Sequence, residues 1–198
     1  MSDVNEFIGL YEEYMRERSI KIESMTKDDR WWRQQSSKVL QEDPTIKRFG
    51  LDFHGVIDRC PDFLSEWAKR MVSEGHEVHI VTGARWSGGM EEILKGLNFE
   101  RGVSFTHFFS ITDYHVDKGT DVKFNKKGFP FMDEDVWNRT KGVMAALWGL
   151  DAMWDDSPTY GRYFPSTCRY ITFSPENFLL EAKEVLEGRP CIGRHKVK

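Results

Sequence analysis

Between residues 48 and 187 the sequence alternates short apolar segments with longer amphipathic ones, and this alternation constrains the fold more than any other feature. Strands are predicted at 48–52, 77–82, 105–111, 151–155 and 169–173. Helices are predicted at 61–74, 88–96, 134–148 and 175–187. Strands that alternate with helices of this length connect through right-handed crossovers and form a parallel sheet. The sequence therefore predicts an α/β fold, a Rossmann-like three-layer sandwich with a mostly parallel sheet.

The first part of the chain precedes this alternation. Residues 1–45 are interpreted as an N-terminal helical extension to a core at 46–188, with amphipathic helices at 3–18 and from about Lys27 to Leu40. We expect the extension to pack against the sheet. A partial lid or a homodimer contact through these helices is the alternative.

Two later segments also interrupt the pattern. Residues 112–133 are too long for an ordinary connection and are interpreted as a small insertion that acts as a minimal cap. A β-hairpin that covers a sheet edge is the alternative interpretation. Residues 189–198 are interpreted as a basic, frayed C-terminal tail.

Composition narrows the class of protein. Hydrophobic residues make up 39% of the chain, which is enough to build a core. The net charge of −4 provides no global field that attracts nucleic acid, so a long nucleic acid is not an expected partner. Cys60, Cys168 and Cys191 have neither metal-like nor disulfide-like spacing, as expected in a reducing compartment. No apolar run approaches the roughly 20 residues that span a bilayer. We therefore expect a soluble, cytoplasmic protein without a membrane partner.

The segment RFGLDFHGVID at 48–58 places a carboxylate at the end of the first predicted strand. Asp52 follows the apolar Phe49 and Leu51 and precedes His54 and the turn-forming Gly55. Open α/β folds bind ligands at the carboxyl ends of their parallel strands. Asp52 is therefore expected at the functional edge of the sheet.

Three further segments place reactive side chains at the ends of predicted elements. VHIVTGAR ends a strand at Thr82 and continues into Gly83, NRTKGVMAALWGL carries Lys141 near the start of a helix, and MWDDSP places Asp155 and Asp156 after a strand. The interval between Lys141 and Asp155 suits one helix and a short strand. Each segment is common alone, and their order is the informative feature.

In this order the four segments resemble the motifs of the haloacid dehalogenase (HAD) superfamily of hydrolases, over roughly residues 48–160. The resemblance implies a HAD-like core in which Asp52 is a nucleophile that forms an aspartyl-phosphate. It also implies that the Thr82 hydroxyl and the Gly83 amide donate to phosphate oxygens, while Lys141 offsets negative charge.

The resemblance further implies a Mg²⁺ cofactor. Its ligands would be Asp52, the backbone carbonyl of His54 and the acidic pair of Asp155 and Asp156. Asp156 is the preferred ligand of the pair, and Asp155 would orient Lys141 or a metal-bound water.

His54 departs from the pattern, because most phosphatases of this superfamily carry a second aspartate there. Histidine can protonate a leaving group and then activate water. Three interpretations remain open: an active phosphatase, a slower enzyme or phosphotransferase, and a non-catalytic phosphate-binding module. Asp58 is interpreted mainly as a cap for the following turn.

Lysines alternate with aromatic residues in 112–133, which favours a phosphate attached to a base. Base–aromatic stacking contributes roughly 1–3 kcal/mol per base. Lys126 and Arg85 are therefore candidate substrate-binding residues, although Arg85 also suits a plain surface role. The expected function is a Mg²⁺-dependent phosphomonoesterase that acts on a small phosphorylated substrate, preferably a nucleotide or a phosphorylated nucleic-acid end.

Overall fold

The computed structural model describes residues 45–86 and 89–188. The helices predicted at 3–18 and from Lys27 to Leu40, and the tail at 189–198, lie outside the described residues. Within the described part, no helix combines the length and the apolar character needed to cross a bilayer.

The order of elements follows the predicted alternation. The strands are β1 (Arg48–Leu51), β2 (Glu77–Thr82), β3 (His107–Ser110), β4 (Lys123–Phe124), β5 (Pro130–Phe131), β6 (Ala152–Asp155) and β7 (Arg169–Thr172). The helices are α1 (Pro61–Ser73), α2 (Met90–Gly96), α3 (Ile111–Asp117), α4 (Glu134–Leu147) and α5 (Phe178–Leu186), with a 3₁₀ helix at Pro158–Tyr163. A five-stranded sheet has the order β3-β2-β1-β6-β7 with parallel pairing throughout, and β4 and β5 form a separate antiparallel hairpin. The α/β prediction is confirmed, and the sheet is compatible with a Rossmann-like fold.

Helix α1 illustrates how local sequence sets these elements. Pro61 occupies the first helical position, where its fixed φ is favourable and its missing N–H costs nothing. Leu64, Trp67 and Met71 recur at helical spacing and are buried. Gly75 follows the helix with φ of +88°, a conformation that glycine adopts without strain.

Alternation along the strands divides the core between the two faces of the sheet. On one face Leu51 and Ile80 are fully buried in a cluster with apolar residues of α1, α2 and α5. On the other face Val81 and Met153 lie in a cluster with residues of α3 and α4. Full burial of a side chain such as Leu51 contributes about 1.5–3 kcal/mol. Helices therefore cover both faces of the sheet and hold the strand ends in fixed positions.

The region from 105 to 133 differs from the prediction. The strand predicted at 105–111 is shorter, because Ser110 caps a helix: its Oγ accepts from the Asp113 N–H at 3.0 Å. The first part of the predicted insertion, residues 112–117, belongs to α3. Further on, β4 and β5 form a hairpin, as the alternative interpretation predicted for part of this segment. The Asn125 side chain closes its turn by accepting from two backbone N–H groups.

Candidate active site

Parallel pairing brings the four predicted segments to one edge of the sheet. Strand β1 lies between β2 and β6, so Asp52, Thr82 and Asp155 all stand at the carboxyl ends of neighbouring strands. The Asp52 N–H donates to the Trp154 carbonyl at 2.9 Å, which continues the β1–β6 pairing into the site. Helix α4 then supplies Lys141 from one face.

Lys141 lies between two buried carboxylates. Its Nζ is 3.0 Å from Asp52 Oδ2 and 2.5 Å from Asp155 Oδ2. All three residues are buried, with exposed fractions of 2% for Lys141, 6% for Asp52 and 0% for Asp155. Buried charges are tolerated when they are paired and hydrogen-bonded. The ammonium therefore holds two acidic side chains together at the strand ends.

The pKa values follow from this arrangement. Burial raises the pKa of Asp52 to about 6, because leaving water disfavours the charged carboxylate; Lys141 acts in the opposite direction and Asp155 adds to the rise. Burial also disfavours the charged form of Lys141, but the attraction of the two carboxylates outweighs this effect, so the pKa of Lys141 is raised. At neutral pH Lys141 is therefore an ammonium, and Asp52 is mostly ionised.

Asp156 adds a third carboxylate. Oxygen atoms of Asp52, Asp155 and Asp156 lie within 4.8 Å of one another, and Asp156 is exposed while the other two are buried. Several carboxylate oxygens at this separation could hold a metal ion, and hard divalent cations prefer such ligands. The acidic group thus has one side open to solvent.

The turn after Asp52 depends on Gly55. Its φ is +73°, and a Cβ there would overlap the Asp156 carboxylate. Only glycine satisfies both conditions without strain. Asp58 Oδ1 accepts from the Gly55 N–H at 2.7 Å, and Asp52 Oδ1 accepts from the Phe53 N–H at 2.8 Å. These bonds fix Asp52 and bring Asp156 against the turn.

His54 lies at the exposed rim of this turn. Its side chain is 64% exposed, and its Nδ1 lies 3.2 Å from Asp58 Oδ2. Asp58 therefore caps the turn that precedes it, rather than the following turn that was predicted. It also contacts the imidazole, which sequence reasoning missed. A carboxylate four residues after a histidine, across a glycine turn, was the available signal.

Thr82 and Gly83 form a tight turn beside Asp52. Thr82 is fully buried, and its Oγ1 accepts from the Ala84 N–H at 3.2 Å. The Gly83 carbonyl accepts from the Thr112 hydroxyl at 2.5 Å. A Cβ on Gly83 would lie 2.7 Å from the Trp137 ring, so glycine allows α4 to pack closely here. Both residues occupy the predicted edge.

Within the part of the chain that the structure describes, neither Arg85 nor Lys126 contacts the acidic group. Arg85 Nε donates to Asp113 Oδ1 at 2.8 Å, and its guanidinium lies 5.6 Å from the centroid of the Phe124 ring. Lys126 lies exposed in the turn of the β4–β5 hairpin. Arg85 therefore links the loop after β2 to α3 and to the hairpin.

Sequence reasoning also missed the 3₁₀ helix that follows the acidic pair. Its Tyr160 ring lies 4.8 Å from Lys141 Nζ, a cation–π contact. Just before the helix, the Ser157 N–H donates to Asp155 Oδ1 at 3.0 Å. The Pro158 that follows Ser157 was the signal for a new helical turn.

Comparison of the chain with family models, curated proteins and solved structures finds no match. The functional interpretation therefore depends on the geometry of the residues themselves. Among them, the buried Lys141 between Asp52 and Asp155, with Asp156 beside them, is the most specific arrangement.

Proposed function

We propose that the protein is a Mg²⁺-dependent phosphomonoesterase of the HAD type that acts through an aspartyl-phosphate on Asp52. The observation that carries this proposal is the convergence of three carboxylates and one ammonium at the carboxyl edge of the sheet. These residue types, in this order along the chain, are the ones the sequence resemblance implies.

The net charge of the acidic group supports the binding of a divalent cation. Three carboxylates and one ammonium sum to a net charge of −2 when all are ionised. A phosphate ester would be repelled by this charge unless a cation reduced it. Asp52, Asp155, Asp156 and the His54 carbonyl would hold Mg²⁺, which when bound supplies charge neutralisation between carboxylates and phosphate.

The residues of the chain have distinct roles in this reaction. An Asp52 carboxylate oxygen attacks phosphorus, the bond from phosphorus to the ester oxygen breaks, and the leaving oxygen takes a proton. Lys141 holds Asp52 in place and offsets charge as the phosphoryl group arrives. Water then cleaves the aspartyl-phosphate and releases inorganic phosphate.

His54 is the proposed proton donor and acceptor for these two steps. The Asp58 carboxylate at 3.2 Å limits the orientations of the ring. Rotation of an exposed side chain is fast compared with turnover, so the ring can reach a leaving group at the rim.

A second candidate function, phosphate binding without turnover, is favoured by one observation. The His54 ring contacts Asp58 and Phe53, and no contact between the ring and Asp52 occurs in the described residues. A protein that binds phosphate without turnover needs the acidic group and Lys141 but no acid–base residue.

The hairpin supports a nucleotide, or a phosphorylated nucleic-acid end, as the substrate. Three of its aromatic side chains are largely exposed, at 42%, 58% and 58% for Phe124, Phe129 and Phe131. Exposed rings beside lysines can stack on a base while the lysines attract phosphate. Arg85 contacts both this hairpin and α3, so it is the proposed connection between the hairpin and the site.

The test measures release of inorganic phosphate from an aryl phosphate and from mononucleotides, with Mg²⁺ or with a chelator. Wild type should release phosphate only with Mg²⁺, and Asp52→Asn should lower the rate by at least ~1,000-fold. Glu66→Gln, which neutralises an exposed carboxylate on α1, should keep the wild-type rate. Lack of turnover by wild type between about pH 5 and 8, together with phosphate binding that survives Asp52→Asn, would establish the binding function instead.

A further inference from the structure

A second cluster of potential metal ligands lies at the opposite edge of the same sheet, at the amino ends of β2 and β3. Glu77 and His79 are two residues apart on β2 and share a face of the sheet, and His107 of β3 is the direct neighbour of His79. The Nε2 of His79 is 2.8 Å from Glu77 Oε2, and the Nδ1 of His107 is 3.9 Å from the same oxygen. One ligand atom from each of the three lies within 4.8 Å of the others.

This cluster is enclosed within the protein. Glu77 and His79 are only 4% and 2% exposed, and the His107 side chain is 10% exposed. The two imidazole rings are stacked with centroids 4.3 Å apart. The Trp148 ring at the end of α4 covers both, at centroid distances of 4.9 and 5.7 Å. Solvent therefore has little access to the three potential ligands.

The cluster also has unused polar capacity. His79 Nδ1 is buried without a hydrogen-bond partner, whereas Glu77 Oε1 faces the Arg48 guanidinium at 3.4 Å. Buried polar atoms such as His79 Nδ1 are nearly always bonded to protein, water or an ion. The protein side chains alone therefore leave the His79 imidazole partly unsatisfied.

We propose that Glu77, His79 and His107 form a structural site for a divalent transition-metal ion of the zinc class. Two imidazoles and one carboxylate suit zinc-class ions, whereas Mg²⁺ prefers an all-oxygen set. Ligand atoms around a tetrahedral Zn²⁺ are about 3.4 Å apart. The distances of 2.8 and 3.9 Å bracket this value. The two rings are stacked at 15° and His107 Nδ1 lies 2.9 Å from Thr106 Oγ1, so metal binding requires one imidazole to rotate out of the stack and His107 to release Thr106.

Two positive charges oppose a cation here: Arg101, which acts on His107, and Arg48, which contacts Glu77. The Arg48 Nε is 3.4 Å from Glu77 Oε1, whereas both imidazoles lie nearest to Oε2. The guanidinium and the metal would therefore use different oxygens of one carboxylate, and each would weaken the other's attraction to it. Removal of the Arg48 charge is expected to strengthen metal binding.

The test uses the full chain in an Asp156→Asn background, which removes a ligand of the acidic group. At one equivalent, Co²⁺ should give the visible absorption of a four-coordinate site in which water is the fourth ligand, since the cluster supplies three. Zn²⁺ at a hundred times its dissociation constant should raise Tm by roughly 5–10 °C, and Mg²⁺ should not. His107→Gln should weaken Zn²⁺ binding by at least ~100-fold, while His76→Gln, a histidine beside the cluster, should not.

Arg48→Met is the control for misfolding. A variant that fails to fold would lose Zn²⁺ affinity, so a gain in affinity cannot come from misfolding. Arg48→Met should tighten Zn²⁺ binding by at least ~10-fold. The proposal is overturned if the background protein shows neither the absorption nor the Tm shift. It is also overturned if His107→Gln keeps the affinity, or if Arg48→Met fails to increase it. These readouts do not involve phosphatase activity, so the result is independent of the proposed function.

Discussion

Two buried polar clusters lie at opposite edges of the same parallel sheet, and their charges are satisfied differently. At the carboxyl end, Lys141 lies 3.0 and 2.5 Å from two carboxylates, and the group opens to solvent at Asp156. At the amino end, Glu77 lies 3.4 Å from Arg48 under the cover of Trp148, and buried polar atoms remain without hydrogen bonds. Burial is common to both clusters. The carboxyl-end cluster differs from the other in having a tightly paired ammonium and a side open to solvent, which are the features that the proposed reaction needs.

Removal of the cation from each cluster should give the largest and most unequal effects. Lys141→Met leaves Asp52 and Asp155 buried together without a compensating charge, which should lower the free energy of unfolding by about 3–5 kcal/mol. Arg48→Met should cost no more than about 1–2 kcal/mol, because burial raises the pKa of Glu77 and so lowers the cost of protonating this carboxylate once its cation is removed. Urea unfolding at pH 7 in a chelator measures both. Equal losses of unfolding free energy in the two variants would contradict the conclusion that the two clusters pair their charges differently.

Asp52, the proposed nucleophile, should show a trade-off between stability and activity. The pKa of Asp52, raised to about 6 chiefly by burial, means that the folded state binds a proton more tightly than the unfolded chain. The free energy of unfolding therefore falls as pH rises from about 4 to about 6. Asp52→Asn lacks this dependence and should be about 2–3 kcal/mol more stable than wild type at pH 7 without metal.

Urea unfolding from pH 4 to pH 8 in a chelator checks this prediction. The two proteins should converge in stability near pH 4. If Asp52→Asn were less stable than wild type at pH 7, the carboxylate would be a net stabilising group rather than one held in place for catalysis.

Gly55 tests the contact that brings Asp156 into the acidic group. Gly55→Ala combines backbone strain at φ +73° with overlap on Asp156, and should cost about 2–3 kcal/mol. Gly75→Ala is the matched control, since its φ is +88° and nothing lies within 4 Å of the added Cβ; it should cost about 1 kcal/mol. Thermal unfolding of both variants measures the difference. Equal costs would mean that Asp156 moves away freely.

The acidic group was predictable from the sequence, whereas the cluster of Glu77, His79 and His107 was not. Asp52, Thr82 and Asp155 each end an apolar run, and parallel strands bring such ends together whatever their distance along the chain. Glu77, His79 and His107 lie inside or at the start of strands, where only the register between β2 and β3 joins them. Sequence periodicity does not fix that register.

The missed helix α3 has a different cause. Residues 105–117 contain no glycine or proline to separate strand from helix, and Ser110 both ends β3 and caps α3. The spacing of Ser110 and Asp113 was the available signal for a helix start. The contact of Asp58 with His54 depends on the conformation of the Gly55 turn, which its sequence alone leaves open.

The smallest effect should come from a buried group that is neutral, and its sign should be opposite to that of Asp52. His115 Nε2 and Thr140 Oγ1 are 2.8 Å apart. Burial, with a further contribution from Lys118, lowers the pKa of His115 to about 4. The unfolded chain then binds more protons than the folded chain between about pH 4 and 6.5. The free energy of unfolding therefore rises with pH in that window, and the stabilisation that neutral His115 contributes is lost on acidification. His115→Asn should remove about 1 kcal/mol of this dependence, after allowance for solvent screening.

Urea unfolding of wild type and His115→Asn at pH 4.5 and 7.5 checks the prediction. Parallel pH profiles would show that the imidazole is not held neutral, and that the contrast between charged and neutral buried groups does not extend to α3.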